Sequence, residues 1–533
     1  MLLNRRRMLQ LGAAMGAGWL LGGCRHPLQL GLDITGYWPG MQEGHWLRGN
    51  TPIPAPSGER KVGVAILGSG VAGLFAAWQL ARQGRQDILL VEGPERYGNC
   101  AAGSMGGEPY PRGAHYLPLP SLESTHVREL LFEMGVIEAD PFGERPRYDE
   151  RVLVHAPEER LWVDGRWQEG TLPRIGMGAD ELAQQQRFLD FVAGLRERKG
   201  RDGRRLFVIP LALSSSDPEW RALDKLTFAA WLKQQGYTAP GLLWYLDYVC
   251  RDDYGAGSAE VSAWAGLHYF ASRGGHAANA ENGAVLTWPD GLNPLARHML
   301  SRLQPQQRLP GMAVRVTDRG RHVEVDVFDV RQGRSVRLLA DQVICAMPLH
   351  VASRVVTGIR DLGYDPERHA LPHAAWQVSN FLIDAFPEEP HEHPLAWDNV
   401  VYGSNSLGYI NSTHQLIRQG KPAQSVFTAY HAYSGVDPRA LRHQLERASA
   451  DDLYEIAAQD LHAVYGWRWR HYVKQVEITV RGHAMSTPAP GFLDNPGLKA
   501  LREADGRIRF AHADLSGLSV FEEAGWWGSR TIA

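Results

Sequence analysis

Between Val62 and Glu92 the chain reads VGVAILGSGVAGLFAAWQLARQGRQDILLVE, and few backbone arrangements accept that order of residues. Val62, Val64, Ala65, Ile66 and Leu67 predict a short buried strand. Gly68-Ser69-Gly70-Val71-Ala72-Gly73 then fits G-x-G-x-x-G, and Leu74 to Gln83 continues with small and apolar residues at helical spacing. Gly84 closes the helix, and Asp87 to Val91 predicts a second buried strand. A turn too tight for side chains thus delivers a helix whose free N–H groups and positive end point at a pyrophosphate. Glu92 follows Gly73 by 19 residues, where a carboxylate accepts both hydroxyls of an adenosine ribose and disfavours a 2′-phosphate. The unit predicts dinucleotide binding, with Gly68, Ser69, Gly70, Ala72, Gly73 and Glu92 around the ligand.

The chain has 533 residues, room for two or three domains, and a formal net charge of −3, which leaves no electrostatic footprint for nucleic acid. Cys24, Cys100, Cys250 and Cys345 are too scattered for a disulfide framework or a metal cluster, so no metal is expected. Residues 4–10 are basic, with Arg5, Arg6 and Arg7, and residues 11–21 are apolar but short for a bilayer span. This start resembles a twin-arginine export signal, and Leu21-Gly22-Gly23-Cys24 resembles a lipobox. The resemblance implies an exported, periplasmic lipoprotein held at a membrane surface through a lipidated Cys24. Residues 25–60, with several Pro and Gly and little periodicity, are read as a tether.

Further motifs follow the ribose acid. Arg96 and Gly98 match R-x-G-G-R, with Asn99 and Cys100 in place of its last Gly and Arg, and Gly113-Ala114-His115 comes soon after. Residues 340–348 read A-D-Q-V-I-C-A-M-P, and 508–517 read I-R-F-A-H-A-D-L-S-G before a closing helical stretch that contains Phe521-Glu522-Glu523-Ala524. In this order the chain resembles the flavin-containing amine oxidase superfamily, which includes protoporphyrinogen oxidases and carotenoid desaturases. The resemblance implies an α/β fold: a Rossmann-like FAD-binding domain from 61–119, 282–350 and 481–533, interleaved with an α+β substrate domain from 120–281 and 351–480. It implies further that Arg96, Gly98, Ala114 and Val314 lie along the FAD, that Asp514 binds the ribityl chain, and that the helix start at Phe521 faces flavin N1 and O2. Cys345 reads as a core residue.

An FAD-dependent oxidoreductase is the expectation, with a small-molecule substrate and oxygen or a quinone as electron acceptor. His115 and Asn380 are the candidate catalytic residues; Asn380 stands where many amine oxidases carry a Lys near flavin N5. Tyr409, Asn411, His414, His431 and Tyr433 are candidates for a polar-aromatic pocket, with Phe427, His431 and Tyr433 sharing one strand face. Three readings remain open at this level. Carboxylates and aromatics around the flavin would favour an amine or polyamine; a long apolar tunnel, a hydrophobic ring or isoprenoid substrate; a flavin face blocked by side chains, a non-catalytic flavin-binding protein.

Overall fold

The computed structural model describes residues 31–49, 52–414, 416, 420 and 422–532. The basic start, its apolar segment and Cys24 lie outside the described residues. The unit that anchors the sequence reading forms as expected: strand Pro56–Leu67, helix Val71–Arg82 and strand Ile88–Val91. The two strands pair in parallel, Val64 beside Ile88 and Leu67 beside Val91. Their side chains are apolar on both faces because helices cover both sides.

A seven-stranded sheet grows around this unit: six strands run in the order 308–309, 88–91, 56–67, 334–345, 323–329, 312–318, and the seventh, 508–510, pairs with 334–345 off this path. Strand Arg334–Cys345 has two neighbours on one edge. Its first half pairs antiparallel with Val323–Asp329, and its last residues pair in parallel with Ile508–Phe510 from the far end of the chain. The closing helix Phe521–Arg530 therefore returns to the glycine turn. A Cβ on Gly528 would stand 2.2 Å from the Ala72 carbonyl oxygen, and one on Gly525 2.7 Å from the Phe75 ring. These glycines let the two helices cross at near backbone contact, so both N-termini open on the same space.

A second sheet of eight strands runs 33–37, 473–486, 373–383, 425–433, 409–411, 398–401, 159–163, 166–169. Both of its faces are covered. Even-numbered residues of the two central strands (Trp376, Val378, Tyr430, Ala432) pack toward helices from 179–272, while odd-numbered ones (Ala375, Phe381, Phe427, Ala429) pack toward helices from 438–472.

Two expectations need correction. The tether reading of 25–60 fails over 33–48 and 56–60: Asp33–Tyr37 is an edge strand paired in parallel with Gln475–Thr479, Met41–Arg48 is a helix, and 56–60 begin the long strand Pro56–Leu67. The edge strand's partner lies more than 400 residues away, so no local pattern announced it. Helical spacing in stretches such as 180–197 and 223–235 predicts mostly helix for 120–281, yet this part also supplies strands Glu159–Val163 and Arg166–Glu169 to the second sheet. Among the described residues no helix is long and apolar enough to cross a membrane.

Candidate active site

One cavity of about 1310 Å³ runs between the two sheets. At one end it reaches the glycine turn. Gly68 adopts φ +114° and a Cβ there would come 2.8 Å from the Ala346 carbonyl oxygen. A Cβ on Gly73 would meet the Gly68 carbonyl oxygen at 1.9 Å, which makes Gly73 a packing glycine. Gly70 differs: its missing Cβ faces open space, at the first turn of a helix that has no side-chain cap. A bare helix N-terminus with room in front of it is an anion site. Ser69 Oγ donates to the Glu92 carbonyl oxygen at 2.6 Å, which fixes the turn against the second strand.

Glu92 is nearly buried and each carboxylate oxygen receives a guanidinium, Arg96 at 2.7 Å and Arg308 at 2.9 Å. Arg96 thus stays outside the cavity wall and orients the acid. Gly98, at φ +55°, passes against Gly70, and Ala114 donates its N–H to the Asn99 carbonyl oxygen at 2.8 Å while lining the cavity. Val314 sits at a bulge in its strand; its neighbours Met312 and Ala313 face the cavity in its place. Asp514 accepts from the Leu349 N–H at 2.9 Å and lies 3.2 Å from His373 Nε2. Burial would raise its pKa, yet His512 and His373 together hold it well below the usual carboxylate range. Phe521 begins the closing helix, again with no side-chain cap. Two uncapped helix starts, an open glycine position and the carboxylates of Glu92 and Asp514, all on one cavity, fit FAD.

At the other end the walls change character. His115, Tyr116, Trp376 and Tyr430 line the cavity, the His115 ring lying 4.5 Å from that of Tyr430 and 4.9 Å from that of Tyr116. Burial pushes the His115 pKa down to about 3, so its imidazole is uncharged at neutral pH. Asp252 and Asp253 enter from the last turn of helix Pro240–Tyr254, where carbonyl ends already disfavour negative charge. Asp253 pairs with Arg273. Asp252 has no such partner, and burial, then Asp253 and Glu159, push its pKa up to about 7. Behind it Asp398 and Glu159 are register neighbours on adjoining parallel strands. Burial raises both, and Glu159 and then Asp252 raise Asp398 further. Neither Glu159 nor Asp398 is part of the cavity wall itself; Glu159 accepts from Thr171 Oγ1 at 3.2 Å. Glu522, on the closing helix, also faces the cavity and is pushed by burial to about 7.

The sequence-predicted pocket residues are elsewhere. Tyr409 hydrogen-bonds Tyr465, Asn411 Oδ1 accepts from Ser425, His414 contacts the His155 carbonyl oxygen, His431 pairs with Ser406, and Tyr433 donates to Gln377. None of these five lines the cavity. The strand period was read correctly and the wrong face chosen: Tyr430, one residue from His431, is the one that points in. Asn380 is fully buried beneath the cavity wall, donating to the Pro111 carbonyl oxygen at 3.0 Å and accepting from Thr428 at 2.7 Å. It braces the loop that carries Ala114 and His115. Among the described residues no lysine lines the cavity. Cys345 is a core residue, its thiol pushed by burial to about 12.

A sequence model of the flavin-containing amine oxidoreductase family matches residues 71–524. The chain belongs to that family, and is an FAD-dependent oxidoreductase with an amine oxidase-like fold. No curated protein matches the sequence significantly. Solved structures share the fold at low identity. A putrescine oxidase bound to putrescine is 16% identical over 89% of this chain and 98% of its own, with a TM-score of 0.61. Cyclohexylamine oxidase from Brevibacterium oxydans IH-35A is 17% identical over 89% and 100%, TM-score 0.59. A CLA-producing fatty acid isomerase from P. acnes is 16% identical over 88% and 97%, TM-score 0.58.

Proposed function

We propose that this oxidoreductase removes a hydride from an organic amine, with a diamine or polyamine as the class that best fits the chamber. The observation that carries the reading is Asp252, which lines the aromatic end of the cofactor cavity with its pKa pushed up to about 7, while Glu159 and Asp398 lie close enough behind it to share that electrostatic strain. Gly68, Gly70 and the helix start beyond them would hold the pyrophosphate, Glu92 the ribose, Asp514 the ribityl chain, and the Phe521 backbone the flavin pyrimidine edge. FAD, when bound, supplies the hydride acceptor.

The chain's own residues do the rest. An ammonium group arriving beside Asp252 meets a carboxyl whose pKa lies at about 7, so near neutral pH the approaching cation readily tips it to the ionised form. Asp252 can take the ammonium proton, which has to leave before the neighbouring C–H bond gains hydride character. Tyr116, Tyr430, Trp376 and His115 surround the carbon stem and exclude water. A ring or isoprenoid substrate would want the long apolar tunnel that these carboxylates interrupt. With no lysine at the cavity wall among the described residues, a quinone or another acceptor is preferred to oxygen. The basic start and Cys24 support export of the loaded protein and attachment at a membrane surface.

Anaerobic mixing with a panel of diamines, monoamines and apolar polyenes, followed by flavin absorbance, tests the reading. Bleaching by diamines at micromolar to millimolar concentration is expected; bleaching by apolar compounds alone would overturn it.

A further inference from the structure

The family's R-x-G-G-R ends in an arginine, and this chain has Cys100 there, with its thiol pushed up by burial to about 12 and therefore neutral. Arg481 passes close by, donating to the Gly98 carbonyl oxygen at 3.4 Å, but Glu95 holds both of its nitrogens at 2.7 and 3.0 Å. A pyrophosphate seated on Gly68–Gly70 would thus lack a free cation from this loop.

What the cavity offers at that place is histidine. His350 follows Ala346, the residue whose carbonyl touches Gly68; His483 precedes Ala484, whose carbonyl oxygen accepts from Asn99 at 2.9 Å. A segment that borders the glycine turn and one that borders the Gly98–Cys100 loop thus bring their imidazoles together, stacked at 4.2 Å and 16°. His373 lies 5.4 Å from His350 and 6.0 Å from His483, and all three line the same cavity with His512. His350 Nδ1 is buried with no hydrogen-bond partner. The charged groups facing the pair are Arg442 from helix Pro438–Leu445, Arg48 from helix Met41–Arg48, and Asp514. Arg48 is tied to Glu446 at 3.2 Å along with His45 at 3.1 Å, and Asp514 already serves His373 and His512. Arg354, on the helix that carries His350, lines the same space. Among the described residues no set of His, Cys, Asp or Glu is placed to hold a metal ion, which leaves an anion as the group this cluster accommodates.

We propose that His350 and His483, supported by His373 and His512, supply the positive charge that balances the FAD pyrophosphate in this chain, taking up protons as the cofactor enters. Without an anion the paired rings stay neutral: burial, then Arg442 and His373, push His483 down to about 3, and burial, then the neighbouring histidines, lower His350. Two phosphate charges beside them reverse that preference.

The sign is unusual for a flavoprotein and is the basis of the test. Binding linked to proton uptake strengthens as pH falls, by up to about tenfold per pH unit for each proton. FAD release from the diluted holoenzyme, followed by free-flavin fluorescence, is expected to be about tenfold slower near pH 6 than near pH 8. Proton uptake on rebinding FAD to the apoprotein in weak buffer, read with an indicator dye, is expected to be at least about one per FAD. The double substitution His350→Gln, His483→Gln should flatten the pH dependence and abolish the uptake. Release as fast at pH 6 as at pH 8, or no proton uptake, overturns the proposal. So does a folded double variant that keeps the full pH dependence; should that variant not fold, the proton count on the natural chain decides.

Discussion

The two ends of the cavity are built on opposite electrostatic errors. Around Asp252 three carboxylates crowd together with one arginine already taken by Asp253, and burial drives their pKa values up. Around His350 four imidazoles and Arg442 crowd together with one aspartate, and the pair of stacked rings is driven down. Each end relieves its repulsion by giving up charge when empty and regains it with a ligand of the opposite sign. On the proposed reading, one continuous space takes a phosphorylated cofactor at one end and a cationic substrate at the other without competition between them.

The largest effect should come from Gly70→Val, whose side chain would enter the open space before the uncapped helix. The purified variant should carry no flavin absorbance, whereas full loading would remove the basis for placing the pyrophosphate there. Next is Asp252→Asn, which keeps the shape of the cavity wall but removes the carboxyl that titrates at about 7. We expect amine-driven flavin reduction to slow by about 50-fold or more, near the ~2–3 kcal/mol of a desolvated charge contact, with the FAD spectrum unchanged. An equal loss of flavin would mean that the two ends are not independent.

A smaller effect concerns stability. The Asp252 pKa is raised from 3.8 to about 7 in the folded chain, so between these values the folded state binds more protons than the unfolded one. Stability contributed by this group is accordingly present below pH 4 and lost as pH rises through 7. Melting temperature without amine should fall across that window, and Asp252→Asn should flatten the fall, gaining on the order of 1 kcal/mol at pH 8 once water in the chamber is allowed for. A saturating diamine should restore the natural chain. Smallest of all, His431→Ala should leave amine-driven bleaching unchanged. Tyr430→Phe, which removes the hydroxyl that donates to the Gly113 carbonyl oxygen at 3.1 Å, should slow it about threefold to tenfold, the worth of one hydrogen bond. The reverse order would put the substrate on the other face of the sheet.

These contrasts also separate what was legible in the sequence from what was not. The cofactor end was written in glycines whose absence of a Cβ is a geometric requirement, and in strands short enough to delimit. The last residues, Ile508 to Phe521, were legible because a strand and a helix start must coincide there. The substrate end had no such signature. Asp252, Asp398 and Glu159 come from a helix end and two strands far apart in sequence, and each alone reads as a solvated acid. In Ser425–Tyr433 alternation could not choose a face, since residues on both faces are buried. The histidine cluster likewise joins residues 350, 373, 483 and 512, no two within a motif.

The edge strand Asp33–Tyr37 covers the outer backbone of Val473–Ser486. Cut the chain anywhere beyond residue 37 and a long strand is left with unpaired N–H and C=O groups, a template for pairing with its own copies. Trp38, Met41 and His45, which follow the strand, also form part of the cavity wall. A leader removed at Cys24 would spare all of this by nine residues. Processing a short distance further in would turn a soluble sheet into an adhesive one and leave the cofactor cavity without part of its wall.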